Sequence, residues 1–206
     1  MINRCILIIV GVLCFYSLEA KKIEGEILYT NDTIKVTFDI PIYAFGKIMY
    51  EMVQYSIIYY DSLNNKMRIQ ADSAKEIRFT YGTENVRMLS KPTPVKMLSL
   101  RPYNNIFLKL EMDGYIKIFK YYHTKTMTNY SKDRISTGST SMYGTESFYI
   151  QKGEGKLNLL NKFVYRKELF KYFNDCPDLV KKIENKEFRK KDIKSIIIYY
   201  NTKCVK

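Results

Sequence analysis

The sequence predicts an α+β protein: an antiparallel β-sheet, either open or partly curled toward a barrel, followed by a small helical segment. Two patterns predict this class. Between residues 21 and 160, apolar residues alternate with polar ones in short runs that end at turn residues. From residue 161 to residue 206, apolar residues recur at helical spacing. We therefore predict a sheet domain of residues 21–160, with the helical segment of residues 161–206 packed on it.

Residues 1–20 have the organisation of a secretory signal peptide. Arg4 supplies a positive charge, residues 5–18 are almost unbroken apolar sequence, and Ala20 offers a small residue for cleavage. The apolar run is about 14 residues, short of the roughly 20 that span a bilayer, which disfavours a membrane anchor. Lipidation at Cys14 is disfavoured because Leu13 stands where a small residue is expected. We predict an exported chain, periplasmic, associated with the outer envelope or secreted, without a transmembrane span after cleavage.

Two of the four cysteines, Cys5 and Cys14, lie within the predicted signal peptide. The mature chain then keeps only Cys176 and Cys204, and an oxidising compartment favours a disulfide between them. Such a disulfide would stabilise the fold by roughly 3–4 kcal/mol on the chain-entropy model. Two buried free thiols are the alternative.

Alternating runs predict the strands of the N-terminal half. Asn31 with Asp32, and Asn64 with Asn65, supply turns between them. Residues 42–53 are apolar without a period, which leaves a packed loop and a short helix both open. The predicted strands are residues 23–29, 33–38, 55–60, 66–70, 76–81, 86–89 and 95–100.

The strongest predicted hairpin covers residues 107–122, because Asp113 and Gly114 form a preferred turn pair between two alternating runs. Residues 123–145 are rich in Thr, Ser, Lys, Asn and Gly, a composition that buries little apolar area. We predict that this stretch is a mobile loop within the sheet. Residues 147–151 then resume strand character and residues 156–160 can pair back onto them.

Three short helices are predicted in the C-terminal segment. Pro177 can open the second, where its missing N–H costs nothing. Asp192 is expected to cap the third. The residues expected to face inward are Phe163, Leu169, Phe170 and Phe173, then Leu179, Val180 and Ile183, and finally Ile193, Ile196, Ile197 and Tyr200.

Several short motifs along the mature chain carry a resemblance. They are Gly25, Ile27, Asp32, Thr33 and Ile34 in the first hairpin, Tyr149 before a Gly-rich turn, Phe173, Asp175, Cys176 and Pro177, Lys191, Asp192 and Ile193, and Tyr200 with Asn201. With these motifs the chain resembles uncharacterised secreted proteins of Bacteroidota. The resemblance implies an exported protein without an assigned activity, and it assigns no catalytic or binding residue.

The chain is basic, with 34 Lys and Arg against 21 Asp and Glu and a net charge of +13. Such a charge suits anionic partners, and export disfavours nucleic acid. The densest group of cations lies in the helical segment, and we consider it a contact for anionic envelope lipid or glycan; a solvated helix surface is the alternative. The group is Lys181, Lys182, Arg189, Lys190 and Lys191.

No catalytic residue, cofactor or metal site is predicted. His123 is the single histidine, and no recognisable nucleophile accompanies it, so we interpret it as a surface or strand-end residue. The tyrosine pairs at 59–60, 121–122 and 199–200 suit either sugar stacking or ordinary packing in a sheet. The sequence thus favours a non-enzymatic binding or structural protein of the cell envelope, with a hydrolase acting on an envelope polymer as the alternative.

Overall fold

The computed structural model describes residues 19–93, 104–129, 139–164 and 166–205. Predictions for residues 1–18, including the signal peptide, and for a strand at residues 95–100 lie outside this part of the chain. The strands are β1 (Glu19–Leu28), β2 (Thr33–Ile42), β3 (Ser56–Tyr60), β4 (Lys66–Gln70), β5 (Glu76–Tyr81), β6 (Glu84–Pro92), β7 (Asn105–Met112), β8 (Ile116–Asn129), β9 (Ser139–Lys152) and β10 (Asn158–Leu159). The α-helices are α1 (Tyr50–Val53), α2 (Arg166–Tyr172), α3 (Pro177–Glu184) and α4 (Ile193–Tyr199).

The ten strands form one antiparallel sheet in the order β10-β9-β8-β7-β6-β5-β1-β2-β3-β4. Strands that follow one another in sequence pair within two meanders, β1–β4 and β5–β10. The pairing of β1 with β5 joins the two meanders, through Gly25–Leu28 and Glu76–Phe79. The end strands β4 and β10 do not pair with each other, so the sheet is open. The predicted α+β class is confirmed, and the sheet is not closed into a barrel.

The predicted turns connect these strands as expected. Tyr29 N–H donates to Asp32 O (2.8 Å) at the end of β1, and Asn64 takes a positive φ of 62° between β3 and β4. Gly114 has a φ of 148°, a region that favours glycine, between β7 and β8. Residues 42–53, left open by the sequence, contain the single turn of helix α1.

Alternation places apolar residues on both faces of the sheet. On one face, Phe38 and Ile77 belong to a core that packs against α1, and Ile118 of the same face belongs to a second core under the C-terminal helices. The adjacent residue Phe119 points to the opposite face, where it packs with Leu108 in a third cluster. Both faces of the sheet must therefore be shielded from solvent. Helices packed on one face alone would leave the other face exposed.

The prediction of a mobile loop at residues 123–145 is wrong for both ends of that stretch, which belong to strands. Strand β8 continues to Asn129 and β9 begins at Ser139, with His123 opposite Thr145 and Asn129 opposite Ser139. Thr and Ser side chains bury little area, but the ladder of backbone hydrogen bonds and the β-branched Thr side chains favour an extended pair. Residues 130–138 lie outside the described part of the chain.

The C-terminal helices are fastened to the sheet by polar contacts as well as by their core. Lys152 Nζ of β9 lies 2.6 Å from Asp175 Oδ1, and Tyr200 Oη donates to Asp175 Oδ2 at 2.6 Å. Pro177 stands at the start of α3 as predicted. Asp192 is the N-cap residue of α4, as predicted, but its side chain makes no capping hydrogen bond to that helix; Asp192 Oδ2 accepts the backbone N–H of Arg189 at 2.8 Å and closes the 3-10 turn before α4. Among the described residues, no helix is long and apolar enough to cross a membrane.

Candidate functional site

A pocket of about 470 Å³ opens where the pairing of β7 with β8 ends. Its size falls within the range of small-molecule sites, roughly 300–1,000 Å³. We call it the Tyr121 pocket. It is lined by Glu51, Gln54, Tyr55, Tyr121, Tyr122, His123, Thr124, Ser147 and Tyr149.

Gln54, at the C-terminal end of α1, lies between strands β7 and β8 at the back of the pocket and holds them apart there. Its backbone O accepts Phe107 N–H at 2.8 Å, and its side chain bonds both backbone groups of Tyr122, with Nε2 donating to O at 2.7 Å and Oε1 accepting from N at 3.2 Å. The register of β7 and β8 would otherwise bring Phe107 opposite Tyr122. Gln54 is only 1% exposed and satisfies these backbone groups in place of a strand partner.

One wall of the pocket comes from the same face of β8 and β9. Tyr121 lies opposite Ser147 and Phe119 lies opposite Tyr149, so Tyr121, His123, Ser147 and Tyr149 share a face. The rings of Tyr121 and His123 stack with centroids 5.4 Å apart, and Tyr149 meets Tyr121 edge-on at 6.4 Å. Contacts of this kind fix the orientation of each ring before any ligand arrives.

The hydroxyl groups of two tyrosines meet in the pocket. Tyr55 Oη and Tyr121 Oη lie 3.3 Å apart, within hydrogen-bonding distance. Burial, and then the hydrogen bond with Tyr55, raise the pKa of Tyr121 above its ordinary value, so this hydroxyl stays neutral. A neutral tyrosine hydroxyl can both donate and accept a hydrogen bond.

Glu51 supplies the acidic group of the pocket. Tyr43 Oη donates a hydrogen bond to Glu51 Oε1, and this bond, together with burial, raises the pKa of Tyr43 to about 12. Among the described residues that line the pocket there is neither Lys nor Arg. The pocket therefore offers rings, hydroxyls, an amide and a carboxylate, and it disfavours anionic ligands.

A buried ionic cluster lies beside the pocket, beneath the stacked rings of Tyr50 and Tyr122, whose centroids are 4.6 Å apart. Lys109 Nζ lies 2.6 Å from Glu84 and 3.0 Å from Glu111. Burial alone would lower the pKa of Lys109, but its bonds to the two carboxylates raise it above its ordinary value. The pKa of Glu111 is lowered by Lys109 against the effect of burial. Both groups stay charged, and the cluster has the character of a structural network.

The predicted disulfide is confirmed: Cys176 and Cys204 are bonded, with Cα atoms 5.6 Å apart. Cys176 precedes α3, and Cys204 ends the π-helical turn after α4. The bond therefore ties the last turn of the chain to the middle helix of the segment.

The five predicted contact cations lie on two neighbouring pieces of the helical segment. Lys181 and Lys182 belong to α3, and residues 189–191 lead into α4. The backbone N–H groups of Glu187 and Phe188 donate to Lys182 O, which brings the two pieces together. Lys182 is partly neutralised by Glu187 at 2.5 Å. Lys181, Arg189 and Lys191 are exposed, and the side chain of Lys190 is not among those described.

The structure also shows residues that the sequence did not nominate. Tyr55 and Tyr149 are such residues: they meet Tyr121, a member of the pair 121–122 that the sequence did offer, although the three are far apart in sequence. Of the three tyrosine pairs, 121–122 is the one in the described lining of the pocket. Tyr59 and Tyr200 are core residues. His123, expected at a surface or strand end, is half-buried within β8. The spacing of two residues between positions 121 and 123, and between 147 and 149, indicates that the side chains of each pair lie on one face of their strand, here the wall of the pocket.

Comparison with protein-family models, curated proteins and solved structures finds no match for this chain. Among the described residues, no group of three or more His, Cys, Asp and Glu side chains is placed to hold a metal ion. The function therefore has to be inferred from the geometry of the chain itself.

Proposed function

We propose that the chain is an exported, non-enzymatic binding protein of the cell envelope, of the kind implied by its resemblance to secreted proteins of Bacteroidota. Its helical segment contacts the phosphate groups of anionic envelope lipid. The Cys176–Cys204 disulfide supports export, because such bonds persist in oxidising compartments. The apolar run before Ala20 supports the same destination.

The exposed face of α4 carries the proposal. Ile198 is 51% exposed, although large apolar side chains are usually buried. Lys194 precedes it by four residues, so both lie on one side of α4, and Lys191 lies in the 3-10 turn just before the helix; both lysines are exposed. An apolar side chain among cations suits the boundary between lipid head groups and acyl chains.

Vesicle sedimentation tests this contact. Wild-type protein is expected to bind vesicles containing anionic phospholipid at low salt and not neutral vesicles, since each cation near an anionic surface contributes about 1 kcal/mol. Replacing Lys181, Lys182, Arg189, Lys190 and Lys191 by Gln should weaken binding about tenfold or more. A second arm with lipopolysaccharide distinguishes the two envelope sources of phosphate.

A matched control separates local contact from net charge. Replacing five exposed cations in the stretch from β2 to the turn before β5 by Gln changes the net charge equally and should weaken binding less. The control residues are Lys35, Lys47, Lys66, Arg68 and Lys75. If neutralising the helical group leaves vesicle binding unchanged at low salt, the lipid contact is wrong.

Export is tested separately by mass spectrometry of protein recovered outside the cytoplasm. Lys21 is expected as the first residue. Such a chain would lose the pairs of Glu19 with Ile42 and Ala20 with Pro41, and would keep the rest of the β1–β2 ladder. Recovery of an uncleaved chain from the cytoplasm would contradict the proposal.

A hydrolase acting on an envelope polymer is the second candidate, and one observation favours it. His123 and Ser147 line the same pocket and are diagonal neighbours on one face of β8 and β9, because Ser147 lies opposite Tyr121. A base and a hydroxyl at such positions could act on an ester or glycan. Release of new reducing ends or free acid from envelope polymers by the wild type, and not by Ser147→Ala, would replace the non-enzymatic proposal.

A further inference from the structure

The Tyr121 pocket differs in character from the rest of this basic protein. The chain has a net charge of +13, yet the described lining of the pocket contains a carboxylate, Glu51, and neither Lys nor Arg. An anionic ligand would meet repulsion from Glu51 without a cation to offset it. The occupant should therefore not be an anion.

The lining also combines two kinds of surface. The rings of Tyr121, His123 and Tyr149 are held in fixed orientations; since Tyr121 and Tyr149 are only 5% and 7% exposed, a small part of each of these two rings reaches the pocket as apolar lining. Hydroxyl, amide and carboxylate groups lie between and around these rings. Small-molecule sites typically have such a composition, an apolar lining with a few polar groups that orient the ligand.

A sugar ring presents the complementary surfaces, with C–H groups on its faces and hydroxyls around its edge. The C–H groups can pack against the parts of the aromatic rings that reach the pocket. The hydroxyls can donate to Glu51 and exchange hydrogen bonds with Tyr55 and Ser147, since tyrosine and serine hydroxyls donate and accept. A purely apolar ligand would make no hydrogen bonds to these polar groups, whereas a sugar can use their remaining donor and acceptor capacity.

The back of the pocket is rigid. Gln54 is fixed by three hydrogen bonds to Phe107 and Tyr122, and Tyr122 is stacked on Tyr50. Because these contacts already order the lining, a ligand would not have to order it on binding. Preorganised sites can hold small ligands that make few contacts.

We propose that the Tyr121 pocket binds a neutral saccharide, with the rings of Tyr121, His123 and Tyr149 packing on the sugar and Glu51, Tyr55 and Ser147 bonding its hydroxyls. This site is separate from the lipid contact of α4, so either proposal can fail without the other. The pocket is formed by α1, β8 and β9, whereas the lipid contact is formed by the C-terminal segment.

Saturation-transfer NMR with the full mature chain tests the proposal. A panel of neutral hexoses, N-acetylhexosamines and their short oligomers is offered at up to about 10 mM, beside uronic acids of matching size. We expect signal transfer to at least one neutral saccharide and none to its acidic counterpart. Transfer to acidic sugars alone, or to no sugar, would overturn the proposal.

Conservative variants locate the site. Tyr55→Phe and Ser147→Ala remove one hydroxyl each and should weaken binding about fivefold to tenfold, the usual effect of losing one hydrogen bond. Tyr115→Phe is the matched control, because Tyr115 is 47% exposed and lies outside the pocket. Circular dichroism establishes that each variant is folded. If folded Tyr55→Phe and Ser147→Ala bind the sugar as the wild type does, the saccharide is not in this pocket.

Discussion

The side-chain amide of Asn201 pairs with both backbone groups of Ile116. Its Oδ1 accepts Ile116 N–H at 2.7 Å and its Nδ2 donates to Ile116 O at 2.9 Å. Gln54 makes the same pair of bonds with Tyr122, six residues further along β8. Residues an even number apart in a strand direct their backbone groups to the same edge, so the two amides satisfy this edge of β8 beyond the two ends of its pairing with β7.

Asn201→Ala is expected to lower the free energy of unfolding by about 2–4 kcal/mol, because it leaves the buried N–H and C=O of Ile116 without partners. Urea denaturation followed by circular dichroism measures the change. Asn174→Ala, at an exposed position of the same segment, is the control and should change stability by less than about 0.5 kcal/mol. Equal midpoints for the two variants would show that the amide pairing contributes little.

Gly114→Ala should destabilise the turn before β8 for two reasons. The φ of 148° disfavours a side chain, and a Cβ at this position would lie 2.3 Å from Asn201 Nδ2. Gly82→Ala is the matched control, since Gly82 also has a positive φ but has open space around it. Because the clash requires Asn201, Gly114→Ala combined with Asn201→Ala should cost about 1 kcal/mol less than the sum of the single changes. Additive costs would exclude the clash.

Glu76→Gln should weaken the sheet in a pH-dependent way. Glu76 is 7% exposed and bonds Arg78 and Arg87, each at 2.6 Å. Burial would raise the pKa of Glu76, but the two guanidinium groups lower it below its ordinary value. The carboxylate therefore stabilises the fold fully above about pH 5, and this contribution is lost as the pH falls through the folded pKa.

At neutral pH we expect Glu76→Gln to cost about 2 kcal/mol, less than for a fully buried pair because both arginines reach solvent. The difference in urea midpoint between wild type and variant should shrink as the pH is lowered from about 6 to about 3. Glu24→Gln, at an exposed carboxylate of the same sheet, serves as the control. A difference that stays constant over this range would show that the charge of Glu76 is not involved.

Reduction of the Cys176–Cys204 disulfide should destabilise the protein by about 3–4 kcal/mol, as the chain-entropy model gives for cysteines 28 residues apart. Urea denaturation with and without a thiol reductant measures the loss. The double variant Cys176→Ser with Cys204→Ser should have the lowered stability and no response to reductant. Mass mapping that finds both thiols free in protein recovered from outside the cytoplasm would remove the main support for export.

The sequence predicted local structure well because local residues determine it. Alternation located the strands, and residue pairs such as Asp113 with Gly114 located the turns between them. The two mature cysteines located the disulfide. The extension of β8 runs against the composition of residues 123–145, which buries little apolar area, but the alternation of Thr124, Thr126 and Thr128 is typical of an extended strand.

Features that depend on distant residues could not be predicted in this way. No local pattern indicates that Gln54 would separate β7 from β8, because its partners Phe107 and Tyr122 are brought there by the strand order. The lining of the Tyr121 pocket is likewise brought together by the strand order, from residues far apart in sequence. Asp192 has the right type and place for a cap of α4, but its carboxylate bonds the N–H of Arg189 in the preceding 3-10 turn.

The position of β1 next to β5 has a consequence for folding. Each meander can form from hairpins of neighbouring strands, whereas the β1–β5 pairing must bring together segments separated by β2, β3 and β4. Forming such distant contacts is slow, because the intervening chain must be ordered first. Gly25 lies at this junction, and a Cβ there would lie 2.3 Å from Arg78 O. The joining of the two halves at Gly25 is therefore the step expected to limit the rate at which the whole sheet assembles.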